Sequence, residues 1–259
     1  MVSEIRRAFH RDATTELQVA VRLPHAPHAR CPTLIWISGG GWMHMGLGGL
    51  DRLDWIRAHG FALAGIEYRT APTHRFPVAV RDVFAGVRFL AAAARELGLD
   101  PRQRVICGDS AGGHLSALVA LAPEMALFRD QRHCAGRQTV DGCIAFMPPT
   151  DLRGMTAAGR GFLEAFLGGD PTRGCMETAI AASPVTYVHP GTPPFLLIHG
   201  RRDTLVTIDH SRWLYAALAR AGVSRRLIEL PGITHDANAL YNHPTSTAAM
   251  LRFLRSHLA

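Results

Sequence analysis

The sequence predicts an α/β fold: a mostly parallel central sheet covered by helices on both faces, with a small insertion over a site. Short, almost wholly apolar runs read as strands buried on both sides. Longer runs with helical spacing stand between them, which is the alternation a parallel sheet requires. The opening stretch "RRAFHRDATTELQVAVRLP" reads instead as an antiparallel hairpin.

In chain order, the strand candidates after that hairpin are "TLIWIS" (33–38), "FALAGIEY" (61–68), "RVICG" (104–108), "GCIAFM" (142–147), "FLLIHG" (195–200) and "RRLIEL" (225–230). "LDRLDWIRAHG" fills the first gap as a helix candidate. In the second, "PVAVRDVFAGVRFLAAAAREL", Val78, Val80, Val83, Val87, Leu90 and Ala94 fall near helical spacing. "AGGHLSALVALA", "IDHSRWLYAALARAG" and the terminal "TSTAAMLRFLRSHLA" complete the helices. No repeat or low-complexity linker divides the chain, so residues 1–259 are expected to form one domain. Residues 151–182 break the rhythm. Their glycines suit a small helical lid, and a long surface crossover is the alternative.

A chain of 259 residues can bury one substantial core. No stretch approaches the roughly 20 apolar residues of a membrane span. The polar start "MVSEIRRAFHRDATTE" has no signal-peptide core, so a cytoplasmic location is expected. The formal charge of +7 comes entirely from arginines, with no lysine, and they occur in pairs at most. Nucleic-acid and membrane partners are therefore not expected. The five cysteines lack CxxC or Cys/His ligand spacing, so neither a disulfide framework nor a metal site is expected. Cys31, Cys107 and Cys143 read as buried thiols.

Chemistry enters at "CGDSAGGHLSALVA". Gly108-Asp109-Ser110-Ala111-Gly112 fits G-x-S-x-G between a strand and a helix, where a sharp turn exposes a serine oxygen. A serine hydroxyl is a poor nucleophile until a base takes its proton. Of fourteen histidines, His235 in "LPGITHDAN" lies on a loop between the last strand and the last helix, within reach of the sheet's carboxyl edge. His199, inside a strand, and His114, on the helix after Ser110, read as structural. Asp203 in "HGRRDTLV" follows a strand at the same edge and can orient the imidazole; Asp209 and Asp236 stay open as alternatives. Asp209 also fits a helix cap.

"ISGGGWMHMG" (37–46) follows the first central strand. The amides of Gly40 and Gly41, with that of Ala111, would form an oxyanion hole, each donor typically worth about 3 kcal/mol in the transition state. Trp42 and His44 beside this loop, and Phe162 and Phe166 from the insertion, are the candidate substrate-binding residues. They fit equally well a role in packing the insertion onto the sheet.

With these motifs in this order, the chain resembles the hormone-sensitive-lipase-like carboxylesterases of the α/β-hydrolase superfamily, and most of all its compact bacterial feruloyl-esterase-like and acetyl-esterase-like members. The resemblance runs from about residue 31 to the end, through "SGGGW", "EYRTAPTHRFPVAVRD", "GDSAGGH", "ASPVTYV", "LLIHGRRDTLV" and "LPGITH". It implies a serine carboxylesterase acting on small-molecule, short-acyl esters through an acyl-enzyme, as a monomer or homodimer, with no cofactor. Ser38 stands where the family usually has His before the three glycines. Tyr68 and Arg69 are expected to brace the site. Amide or formamide hydrolysis and acyl transfer or cyclisation are alternatives on the same fold, and a non-catalytic binding protein is an alternative of another class.

Overall fold

The computed structural model describes residues 4–26, 30–128 and 139–258. Eight strands form one sheet in the order β1-β2-β4-β3-β5-β6-β7-β8. They are β1 (Ile5–Arg11), β2 (Glu16–Arg22), β3 (Cys31–Ile37), β4 (Ala62–Ile66), β5 (Leu99–Asp109), β6 (Gly142–Phe146), β7 (Phe195–Gly200) and β8 (Arg225–Leu230). β1 pairs antiparallel with β2, and β2 with β4; every other pairing is parallel. Each strand expected from the sequence is present, and so is the opening hairpin.

The helices are α1 (Val78–Ala92), the short α2 (Ala94–Leu97), α3 (Ala111–Leu121), α4 (Arg160–Leu167), α5 (Met176–Ala181), α6 (Asp209–Arg220), α7 (Ala237–Asn242) and α8 (Pro244–His257). They cover both faces, and β3 shows how. Ile35 and Ile37 point into one core with Val83 of α1, Leu115 of α3 and Leu214 of α6. Leu34 and Trp36 point into the other, with Leu50, Leu53, Tyr241 of α7 and Leu254 of α8. This is the period-two alternation of a strand buried on both sides.

One expected helix winds differently. Leu47–His59 is a 3-10 helix, with Leu47, Leu50, Leu53 and Ile56 buried at every third position. A three-residue turn brings such residues onto one line, which suits a narrow apolar stripe. Among the described residues, no helix is long and apolar enough to cross a membrane. Cys31, Cys107 and Cys143 are buried, as expected; Cys134 lies outside the described residues.

The chain runs from β3 outward to β4 and then returns to place β5 on the other side of β3. The strand order therefore reverses between β3 and β5, and a parallel sheet opens a crevice at the carboxyl ends of such a pair. The glycine loop leaves β3 there, and Ser110 leaves β5.

Candidate active site

Ser110 sits between β5 and α3 with φ 52° and ψ −120°. A non-glycine side chain is strained in this region and persists only where its surroundings enforce it. Those surroundings are glycines. A Cβ on Gly112 would lie 2.7 Å from the Ser38 carbonyl oxygen, and one on Gly108 would lie 2.7 Å from that of Ile37. The elbow is thus pressed against the end of β3. Its register is held by the Ser110 amide, which donates to the Phe146 carbonyl at 2.9 Å.

His235, on the loop between β8 and α7, places Nε2 2.9 Å from Ser110 Oγ and Nδ1 2.6 Å from Asp203 Oδ2. Asp203, on the turn after β7, is buried. Burial would raise its pKa, but hydrogen bonds from His199 and His235 outweigh it and hold the carboxyl well below the usual carboxylate range. An ionised Asp203 accepts from Nδ1–H, which leaves Nε2 free to take a proton from the serine. The two rivals stand elsewhere. Asp209 is the first residue of α6 rather than its cap, exposed and within 3.5 Å of Arg212; a carboxylate in a first turn complements the helix dipole. Asp236 caps α7 by accepting the Ala239 amide.

Gly40 (φ 127°) and Gly41 (φ 61°) turn the loop after β3 back on itself, and Gly40 O accepts the amides of Met43 and His44. Both glycines line the cavity in front of Ser110. Ala111 opens α3 directly behind the serine, with its side chain buried. The first amides of a helix have no acceptor within it. Tyr68 braces the loop as expected, its hydroxyl donating to the Ser38 carbonyl at 2.8 Å, and Arg69 pairs with Asp82 at 2.6 Å. Ser38 Oγ donates to the Gly39 carbonyl. Asp109 adds a brace that sequence reasoning missed. It accepts the Tyr241 hydroxyl at 3.1 Å and the Gly39 amide, while burial pushes its pKa up.

The cavity holds about 350 Å³ and is walled mainly by apolar groups. Trp42, His44 and Phe162 line it, with Met155 and Gly159 also from the 151–182 segment. Phe166 does not line it. One turn beyond Phe162 along α4, it is fully buried and stacks on the inner face of Trp42 at 4.5 Å between ring centroids. Phe162 meets the cavity, whereas Phe166 packs among Trp42, Phe76 and His114. Met147 and Pro149 after β6, and Leu205 and Val206 after β7, complete the wall. Their position just past strand ends was the available signal. A second, more polar cleft of about 520 Å³ lies on the far side of His44, which lines both.

The two histidines flagged in the sequence as structural are fully buried. His114 accepts the Trp42 indole N–H on Nδ1 and donates from Nε2 to the Ala182 carbonyl, tying the glycine loop, α3 and the end of the 151–182 segment together. A third buried imidazole, His210, accepts the Thr150 amide. Burial lowers the pKa of both His114 and His210 from 6.5 to about 4. The unfolded chain therefore takes up two protons that the folded chain refuses, and each costs up to about 3 kcal/mol. This stability is present above pH 6.5 and is lost as the pH falls towards 4. The urea midpoint is expected to drop steadily over that window, with a shallower slope in His114→Gln. A midpoint flat from pH 7 to 4.5 would show that these imidazoles are not held neutral.

Residues 19–218 match the BD-FAE family. The chain is 29% identical to Esterase LipC of Mycobacterium tuberculosis over 94% of its own length and 62% of that protein's. It is 31% identical to the probable carboxylic ester hydrolase LipM of the same organism over 81% of its length and 50% of that protein's. It thus spans half to three-fifths of the length of these curated relatives. A truncated carbohydrate esterase from gut microbiota superposes with a TM-score of 0.85 at 22% identity, covering 98% of this chain and 96% of that one. The propionate-bound esterase Est2 of Thermogutta terrifontis superposes with a TM-score of 0.76 at 23% identity, covering 97% and 91%. With the family match extending over most of the sequence, the chain belongs to the BD-FAE family and has the α/β-hydrolase fold.

Proposed function

We propose that the protein is a serine carboxylesterase that cleaves short-acyl esters through an acyl-enzyme. The observation that carries this reading is the unbroken line Ser110 Oγ, His235, Asp203, with spacings of 2.9 and 2.6 Å. His235 Nε2 takes the hydroxyl proton as Ser110 Oγ attacks the ester carbonyl carbon. The amides of Gly40, Gly41 and Ala111 receive the oxyanion, and Asp203 steadies the imidazolium. His235 then protonates the leaving alkoxide. Water, activated by the same imidazole, attacks the acyl-enzyme and releases the acid. The names of the relatives, esterase and carboxylic ester hydrolase, support the same chemistry.

The acyl preference follows from size. A cavity of about 350 Å³ lies at the small end of ligand pockets. The 151–182 segment acts as its partial roof through Met155, Gly159 and Phe162. Behind Trp42 the way is closed by Phe166. Across a p-nitrophenyl series, kcat/KM is expected to peak between acetate and butyrate and to fall at least about tenfold by decanoate, since each misplaced methylene is worth about 1–3 kcal/mol. A maximum at decanoate or beyond would overturn the compact pocket. Faster turnover of anilides or formamides than of matched esters would move the site to amide chemistry.

A further inference from the structure

Asp203 receives more donors than its pairing with His235 requires. Oδ1 accepts the backbone amides of Leu205 and Val206 at 3.0 and 2.9 Å, and Oδ2 accepts His235 Nδ1 at 2.6 Å. A second imidazole reaches the same Oδ2: His199 Nε2 lies 3.3 Å from it. His199 is the fifth residue of β7 and is wholly enclosed. Its Nε2 is 2.8 Å from the Val206 carbonyl oxygen, and its Nδ1 is 2.7 Å from Ser211 Oγ on α6. A carbonyl can only accept, so Nε2 carries a proton, while Nδ1 meets the Ser211 hydroxyl. The fold therefore keeps a proton on Nε2, and that N–H is shared between the Val206 carbonyl and the Asp203 carboxylate.

We propose that His199 is a positioning residue for the reaction, one that keeps Asp203 Oδ2 on His235 and moderates the negative charge His235 feels. The proposal rests on the reading of Ser110, His235 and Asp203 as the catalytic line. The groups facing His199 are Asp203 from the turn after β7, His210 from α6, and Glu229, its register partner on β8. His210 is held neutral by burial, and Glu229 is bound by Arg212 at 2.8 and 2.9 Å. That leaves Asp203 as the charge on which the shared N–H acts. Without it, the Asp203 anion acts more fully on His235 and stabilises the imidazolium. The acid limb of kcat/KM, which reads this pair, then moves to higher pH, and Oδ2 is less firmly aimed.

His199→Met fills a similar space without a donor. It is expected to lower kcat about tenfold, leave KM within about twofold, and move the acid limb of kcat/KM up by about half a pH unit. His199→Gln, whose amide N–H can reach Oδ2, should restore most of both. A packing role alone would lower stability and leave the limb in place. An unmoved limb in the Met variant, or a Gln variant no better than Met, overturns the proposal. Wild-type protein supplies a test that does not depend on either variant folding. By 15N NMR, His199 Nε2 should carry a proton, as its contact with the Val206 carbonyl requires, and its resonance should respond to the same pH change that moves the acid limb of the rate. A His199 signal indifferent to that change also overturns it. Fluorophosphonate labelling of Ser110 in the same sample separates the two readings. An unlabelled serine removes both, whereas a labelled serine with an unmoved limb removes this inference alone.

Discussion

Ser110→Ala is expected to abolish ester turnover and fluorophosphonate labelling together while the thermal unfolding transition is retained. The serine oxygen is the group that the surrounding structure is arranged to expose. It lies on a strained turn (φ 52°), and the glycines around that turn leave no room for a Cβ. Among the described residues, the hydroxyl that His235 Nε2 meets is that of Ser110, 2.9 Å away. Nucleophile and base act as a unit, so loss of the serine alone should cost nearly all of the rate that the pair provides, about 10⁵–10⁶-fold. Alanine keeps the Cβ and the backbone, so the elbow's hydrogen bond from the Ser110 amide to Phe146 survives. Undiminished labelling of the variant would place the nucleophile elsewhere and sink the assignment.

The parts of this site that were legible in the sequence are those set by local rules. "GDSAGG" between a strand and a helix fits an elbow, and in this fold only glycine tolerates the approach of the Ile37 and Ser38 carbonyls. Asp203 and His235 were legible from their places just beyond strand ends, where side chains meet at the carboxyl edge of a parallel sheet. Local rules also account for the stripe Leu47, Leu50, Leu53 and Ile56, although its strict period of three points to the 3-10 helix that forms rather than to the α-helix expected.

What stayed hidden depends on contacts between distant segments. Phe162 and Phe166 are one helical turn apart and indistinguishable by composition. Contacts with distant segments make one a cavity wall and bury the other against Trp42, Phe76 and His114. Trp42 itself is nearly enclosed, and its indole N–H is committed to His114, 72 positions away. It shapes the glycine loop from behind as well as facing the cavity. His199 reads as a strand residue in sequence; its bearing on Asp203 follows from where α6 places Ser211 and where the turn places Val206.

Asp203→Asn is expected to cost about 10⁴-fold in kcat, as loss of the tautomer-fixing carboxylate does in Ser-His-Asp triads. In this protein the neighbours make the reason specific. The Leu205 and Val206 amides, 3.0 and 2.9 Å from Oδ1, accept nothing, so the new amide must turn its oxygen towards them. Its NH2 group then occupies the place of Oδ2 and faces His235 Nδ1. A donor there forces the imidazole to accept on Nδ1 and to carry its proton on Nε2, the atom 2.9 Å from Ser110 Oγ. The base then points a proton at the hydroxyl it should deprotonate. His199 cannot relieve the conflict, because the Val206 carbonyl keeps the proton on its own Nε2. Raising the pH should recover part of the rate as hydroxide replaces the base, and fluorophosphonate labelling should slow in parallel. Asp209→Asn serves as the control. That carboxylate is exposed at the start of α6, so its loss should change kcat by less than about twofold, in keeping with a surface charge. Stopped-flow acylation of both variants compares them directly, and a larger defect in Asp209→Asn than in Asp203→Asn would show that the carboxylate of the triad had been misplaced.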